Sequence, residues 1–120
     1  MKHNNRRWTA ARYRSFIRSA LRAAFRKWPP KFDVLKNAKT EVRLNPLSGR
    51  LAMHYRCAAC KHDFPMKQVQ VDHIKPIGKL VSWDTFIKRL YCEARNLQVV
   101  CKECHRIKTG NERNARVLKV

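Results

Sequence analysis

Four of the five cysteines fall in two CxxC pairs, Cys57/Cys60 and Cys101/Cys104, and this spacing is the strongest chemical signal in the chain. A CxxC turn presents two thiolates to one side of an ion, and zinc takes four thiolate or imidazole ligands in a tetrahedron. Together the two pairs supply a complete shell for a structural Zn2+, with no position left open for a substrate. His54 and His62 are spare ligands that this set does not need. Cys92 has no CxxC partner and is expected to be a buried free thiol. A redox reading of the CxxC motifs would call for a helix start beside a βαβ pattern, which the sequence lacks.

Because a closed zinc shell does no chemistry, a second constellation matters more. Asp72 and His73 stand at the end of a strand-like alternation, Asn96 stands just before a second apolar run, and His105 follows the last cysteine. Metal-assisted hydrolysis of a phosphodiester needs an activated water, a counter-charge for the developing negative charge, and help for the leaving oxygen. Histidine titrates near neutrality, which suits the first task. One divalent ion held between a carboxylate and an imidazole suits the other two.

The charge balance names the partner class. The chain has 120 residues and a formal net charge of +20, with 28 Lys and Arg against 8 Asp and Glu. An imbalance of this size repels itself unless a polyanion neutralises it, so nucleic acid is expected and a membrane is not. No apolar run spans a bilayer, and the basic N-terminus lacks the apolar stretch of a signal peptide. A cytoplasmic location follows as an expectation, one in which thiols stay reduced and bind metal.

The elements that must position these residues are legible in outline. Apolar residues at Tyr13, Phe16, Ile17, Ala20, Leu21, Ala24, Phe25 and Trp28 predict a helix from about Thr9, the cap, to Trp28, ended by Pro29-Pro30. Its opposite face should carry Arg14, Arg18, Arg22 and Arg26 as one stripe. No acid precedes Asp33 to relieve that stripe, which points to phosphate contact. Phe32 to Leu35 suggest a short turn of helix, and residues 41–55 a hairpin around Asn45-Pro46 and Gly49. Val69 to Ile74 and Leu97 to Val100 read as strands. Between them Ser82 caps a helix to about Tyr91, and a last helix runs from Cys101 to about Arg113. The size fits one α+β domain that needs a metal staple. The division expected is residues 1–50 as a basic helical extension and hairpin lead-in, and residues 51–120 as the domain carrying the chemistry.

The run Val71-Asp72-His73-Ile74, then Asn96 through Cys104-His105, then Lys108-Thr109, resembles the HNH endonuclease signature. Both CxxC pairs stand where the four-cysteine subclass of that family carries them, and the likeness covers roughly residues 55–113. The arginine-rich first helix and the Trp-Pro-Pro break give the whole chain a looser similarity to the small HNH proteins of tailed bacteriophages. The resemblance implies a ββα-metal core, with His73 as general base and Asp72 and His105 as ligands of a catalytic Mg2+ or Mn2+. It further implies that Asn96 braces the loop that positions His73, and that cleavage leaves a 5′-phosphate and a 3′-hydroxyl. Arg95, Lys102, Arg106 and Lys108 surround this set and are expected to contact phosphates.

The expected activity is therefore cutting or nicking of double-stranded DNA by a monomer or a DNA-induced dimer, in the cytoplasm of a bacterial host if phage-encoded. The competing reading is a zinc-containing DNA-binding module without catalysis, or an accessory of a packaging machine beside a phage terminase. A homing role fits less well, since no second DNA-reading domain is visible.

Overall fold

The first helix begins where a threonine satisfies its orphan amides. In the computed structural model, which describes residues 3–118, Thr9 caps α1 (Ala10–Ala24), its hydroxyl accepting from the Arg12 amide at 3.2 Å. A single 3-10 turn over Phe25–Lys27 follows. Trp28 is then extended, as suits a residue before proline, and Pro29 opens α2 (Pro29–Ala38). The proline pair thus ends one helix and starts the next, because proline in the first turn lacks only an N–H that would have had no helical partner. The turn expected over Phe32 to Leu35 is the middle of that second helix.

Next come β1 (Lys39–Asn45) and β2 (Arg50–Arg56), an antiparallel hairpin in which Leu44 pairs with Leu51 and Val42 with Met53. The Asn45 carbonyl accepts from the Ser48 and Gly49 amides, its side chain accepts from the Leu47 amide, and Gly49 takes φ +72° to close the turn. A short strand absent from the sequence reading, β3 (Asp63–Pro65), pairs with β2 to complete a three-stranded sheet in the order β1-β2-β3.

A separate antiparallel pair is formed by β4 (Val69–His73) and β5 (Leu97–Cys101), with Asp72 opposite Gln98 and His73 opposite Leu97. Between these strands lies α3 (Trp83–Leu90), capped by Ser82, whose hydroxyl accepts from the Thr85 amide. Directly after β5 comes α4 (Lys102–Leu118), which runs through Thr109 and Gly110 and past the expected end at Arg113. The described residues are thus α+β, with four helices and two small antiparallel sheets. None of these helices is long and apolar enough to cross a membrane.

Two compact units emerge. The helical unit takes Met1–Pro29 together with Pro76–Cys92, and the sheet unit takes Pro30–Lys75 together with Glu93–Val120. A division at residue 50 would instead pass between β1 and β2, which are paired. In the helical unit Ile77, Phe86 and Leu90 are buried, and Leu21, Phe25, Leu80, Trp83 and Tyr91 pack against them. The Tyr91 hydroxyl donates to the Leu21 carbonyl at 2.5 Å, and the Trp28 indole donates to the Cys92 carbonyl at 2.7 Å. Both bonds tie the N-terminal helix to the segment inserted between β4 and β5. Burying Phe86 and Leu90, each 2 % exposed, contributes about 1.5–3 kcal/mol apiece.

Only the C-terminal end of the α1 apolar face, at Leu21, is covered in this way. Phe16 remains 59 % exposed, in contact with Trp8, and Tyr13 stacks on His3. Cys92, expected to be buried, is partly exposed; it sits at the end of the insertion with its carbonyl held by Trp28.

The sheet unit has two adjoining apolar clusters. Tyr55, Val69 and Val99 are covered by Val34, Leu35 and Ala38 of α2 and by Met53, Phe64 and Val71. Cys57, Val100 and Cys101 form the second cluster with Cys60, Phe64 and Cys104. The core of this unit therefore runs straight into the cysteines.

Candidate metal centre and active site

The two CxxC pairs lie far apart in sequence and meet in space. Cys57 follows β2 in a tight turn: its amide donates to the His62 carbonyl at 2.9 Å, and its carbonyl accepts from the Lys61 amide at 3.0 Å. Lys61 takes φ +65° to allow it. Cys101 ends β5 and Cys104 lies in the first turn of α4. The Ala58 amide donates to the Val99 carbonyl at 2.8 Å and so fastens the first pair to the strand carrying the second.

All four sulfurs lie within 4.8 Å of one another. An ion about 2.3 Å from each of four tetrahedral sulfurs would set them about 3.8 Å apart, so the tetrad can hold a metal ion such as zinc. Backbone amides also point at the sulfurs: Cys60 N–H at Cys57 Sγ (3.5 Å) and Cys104 N–H at Cys101 Sγ (3.4 Å). Burial raises the Cys57 thiol, but the amides of Cys60, Cys101 and Ala59 outweigh it and bring its pKa down to about 6. Conversely, Cys101, burial and the sulfurs of Cys57 and Cys60 push Cys104 up to about 12. Four sulfurs this close cannot all ionise without a cation among them, and a soft dication resolves that conflict. Neither spare histidine belongs to the tetrad. His54 is buried with Nδ1 2.9 Å from the Ala52 carbonyl, and His62 is exposed.

Next to this tetrad in sequence, β4, β5 and α4 gather the second constellation. Asp72, its side chain 11 % exposed, has Oδ1 3.6 Å from His105 Nε2. Its other oxygen, Oδ2, accepts from Gln98 Nε2 at 3.2 Å and lies 3.2 Å from Lys108 Nζ. Two atoms each about 2.1 Å from one ion stand about 3 Å apart at right angles and about 4.2 Å apart in line. The Asp72–His105 gap therefore fits a shared divalent ion. His73, the last residue of β4, is partly buried, and its carbonyl accepts from Lys108 Nζ at 3.0 Å.

Asn96 braces the chain leaving β4. Its side chain accepts from the Lys75 amide (2.9 Å) and donates to the Lys75 carbonyl (3.3 Å), while its own carbonyl accepts from the Ile74 amide (2.8 Å). These three bonds fix the two residues that follow His73.

The basic residues separate into two kinds. Arg106 pairs with Glu103 one turn away on α4, at 2.5 Å. Lys108 is held by Asp72, Glu112 and the His73 carbonyl; burial opposes its charge, but Glu112 and Asp72 prevail and raise its pKa. Arg95 and Lys102 are exposed. Arg14 and Arg22 of α1 and Arg26 of the 3-10 turn after it are exposed and Arg18 of α1 partly so, and none of the four enters an ion pair among the described residues. The stripe winds toward the apolar side rather than standing opposite it, since a four-residue step advances about 40° around a helix of 3.6 residues per turn. Arg22 accordingly lies over the Phe86 ring, 5.8 Å from its centroid.

Reading the sequence alone passed over Gln98 and Glu112. Gln98 becomes visible only once the strand register sets it opposite Asp72. Glu112 left a weak signal, standing four residues after Lys108 on a helix. No family model, curated protein or solved structure matches this chain.

Proposed function

We propose that this chain is a metal-dependent endonuclease of the HNH kind, cutting phosphodiester bonds in double-stranded DNA. The observation that carries the reading is the pairing of Asp72 Oδ1 with His105 Nε2 at 3.6 Å, on an antiparallel strand pair followed directly by a helix. That strand pair and helix are the elements a ββα-metal core requires, and the cysteine tetrad would staple them with Zn2+. Asp72 and His105 are the residues that would hold Mg2+ or Mn2+. When bound, such an ion supplies counter-charge for the negative charge building on the phosphoryl oxygens.

His73 takes the proton from the attacking water as the water oxygen bonds to phosphorus. The bond from phosphorus to the 3′-oxygen breaks, that oxygen takes a proton from solvent water, and the phosphate stays bonded to the 5′-oxygen of the downstream fragment. Asn96 keeps the backbone after His73 in place through Ile74 and Lys75. The arginines of α1 supply grip along the phosphate backbone.

A supercoiled-plasmid assay in Mg2+, in Mn2+ and in EDTA tests this. Wild type should relax or linearise the plasmid only with a divalent ion, and His73→Ala should lose about 100- to 10,000-fold in rate while still binding DNA. Inactivity of the folded, zinc-loaded protein in both ions would favour the second reading, a zinc-containing DNA-binding module without catalysis. The unpaired charge of the helical unit supports binding under either reading.

A further inference from the structure

The geometry points to Gln98 and Lys108 as positioning residues that lock the Asp72 carboxylate so that one oxygen alone is offered to a divalent ion beside His105. This rests on the hydrolytic reading above. A carboxylate offers two equivalent oxygens and a free rotation, and a ligand that swings loses affinity. Here the two oxygens are made different. Oδ2 faces Gln98 Nε2 and Lys108 Nζ, each at 3.2 Å, and Oδ1 faces His105 Nε2.

Each lock is itself anchored. Gln98 lies directly opposite Asp72 in the β4–β5 register, so its amide reaches across one strand spacing. Lys108 comes from α4, one turn beyond His105, and bonds the His73 carbonyl at 3.0 Å as well as Asp72. Glu112, one further turn along, pairs with the same ammonium. Asp72 of β4, Lys108 and Glu112 of α4 therefore alternate in sign through space, and Glu112 offsets a cation that would otherwise repel an incoming metal ion. A lysine free to meet phosphate would need none of these three protein oxygens.

The test is Mn2+ binding by the full-length, zinc-loaded chain without DNA, followed by loss of the free Mn2+ signal in electron paramagnetic resonance. Gln98→Leu and Lys108→Met should each weaken Mn2+ about 10- to 100-fold, with zinc content and melting unchanged. Glu112→Gln touches neither Asp72 nor His105 and keeps the assay interpretable if a core variant fails to fold; it should weaken Mn2+ less than Lys108→Met. Asp72→Asn should abolish binding. Unchanged affinity in Gln98→Leu, Lys108→Met and Glu112→Gln beside loss in Asp72→Asn overturns the positioning roles and leaves the hydrolytic reading standing. Tighter binding by Lys108→Met overturns them too, since it makes the ammonium a competitor. No Mn2+ binding by the wild type overturns both.

Discussion

The two units, both strongly basic, differ in how many acids they hold and in what those acids do. The helical unit holds twelve of the Lys and Arg residues and one acid, Asp84; the sheet unit holds sixteen and seven. In the sheet unit five of the seven acids hold Lys or Arg: Glu41 and Asp63 hold Arg43, Asp63 also holds Arg56, Asp72 and Glu112 hold Lys108, and Glu103 holds Arg106. No ion pair joins described residues of the helical unit. Positive charge that a protein does not neutralise itself is free to meet an outside anion, whereas charge already paired must first give up its partner. The cores differ in the same spirit. Aromatic and aliphatic packing alone closes the helical unit, while the sheet unit adds four cysteines to an aromatic and aliphatic core.

The largest expected effect comes from removing the metal. If Zn2+ supplies the sheet-unit core, a strong chelator or Cys104→Ala should abolish its cooperative unfolding, because binding energy on the order of 10 kcal/mol in such sites is folding energy. Cys92→Ala, outside the tetrad, should leave zinc content unchanged. Thermal melting read with zinc content distinguishes the two, and equal melting of apo and loaded protein would end the idea that the tetrad is a staple.

A smaller effect should split the arginines. Replacing Arg14, Arg18, Arg22 and Arg26 together by Gln removes unpaired charge, so the slope of log affinity against log salt on duplex DNA should fall by up to about 3.6, or about 0.9 for each phosphate left without its arginine. Replacing Arg43, Arg56 and Arg106, which are already paired, should move that slope much less. Equal changes in the two sets would erase the contrast between the units.

What was legible in the sequence follows the reach of each interaction. The CxxC pairs, the Thr9 and Ser82 caps and the Asn45–Gly49 turn are local patterns, and each is found where spacing put it. A strand of three residues such as β3 has too little alternation to be seen, and the proline pair reads as a stop although its second role is to start α2. The helical unit was invisible for a different reason. Its core joins Leu21 and Phe25 to Phe86 and Leu90, and nothing local announces that an N-terminal helix and an insertion near residue 85 share one interior. For the site, the residue types were legible, but which oxygen of Asp72 is held and which is offered depends on strand register and helix phase.

The smallest effect sharpens what paired charge does in the sheet unit. Asp63, its side chain 8 % exposed, starts β3 between Arg56, its partner in the β2 register, and Arg43 of β1. The Arg56 guanidinium holds the Asp63 carboxyl below its usual value; partial burial opposes this and Arg43 adds to it. A carboxyl whose folded pKa is depressed contributes stability that is fully present above its unfolded pKa, about 3.9, and is lost as pH falls through the folded value. Wild type should therefore lose melting temperature between about pH 5 and pH 2, and Asp63→Asn, which cannot titrate, should start lower and fall less steeply over that range. Both proteins must be compared with the tetrad in one state throughout, because acid also releases metal from thiolates. With zinc held on both proteins at neutral pH, equal melting of wild type and Asp63→Asn would mean that Arg43 and Arg56 gain nothing from Asp63, and that the sheet unit's acids are no better used than the helical unit's lone Asp84.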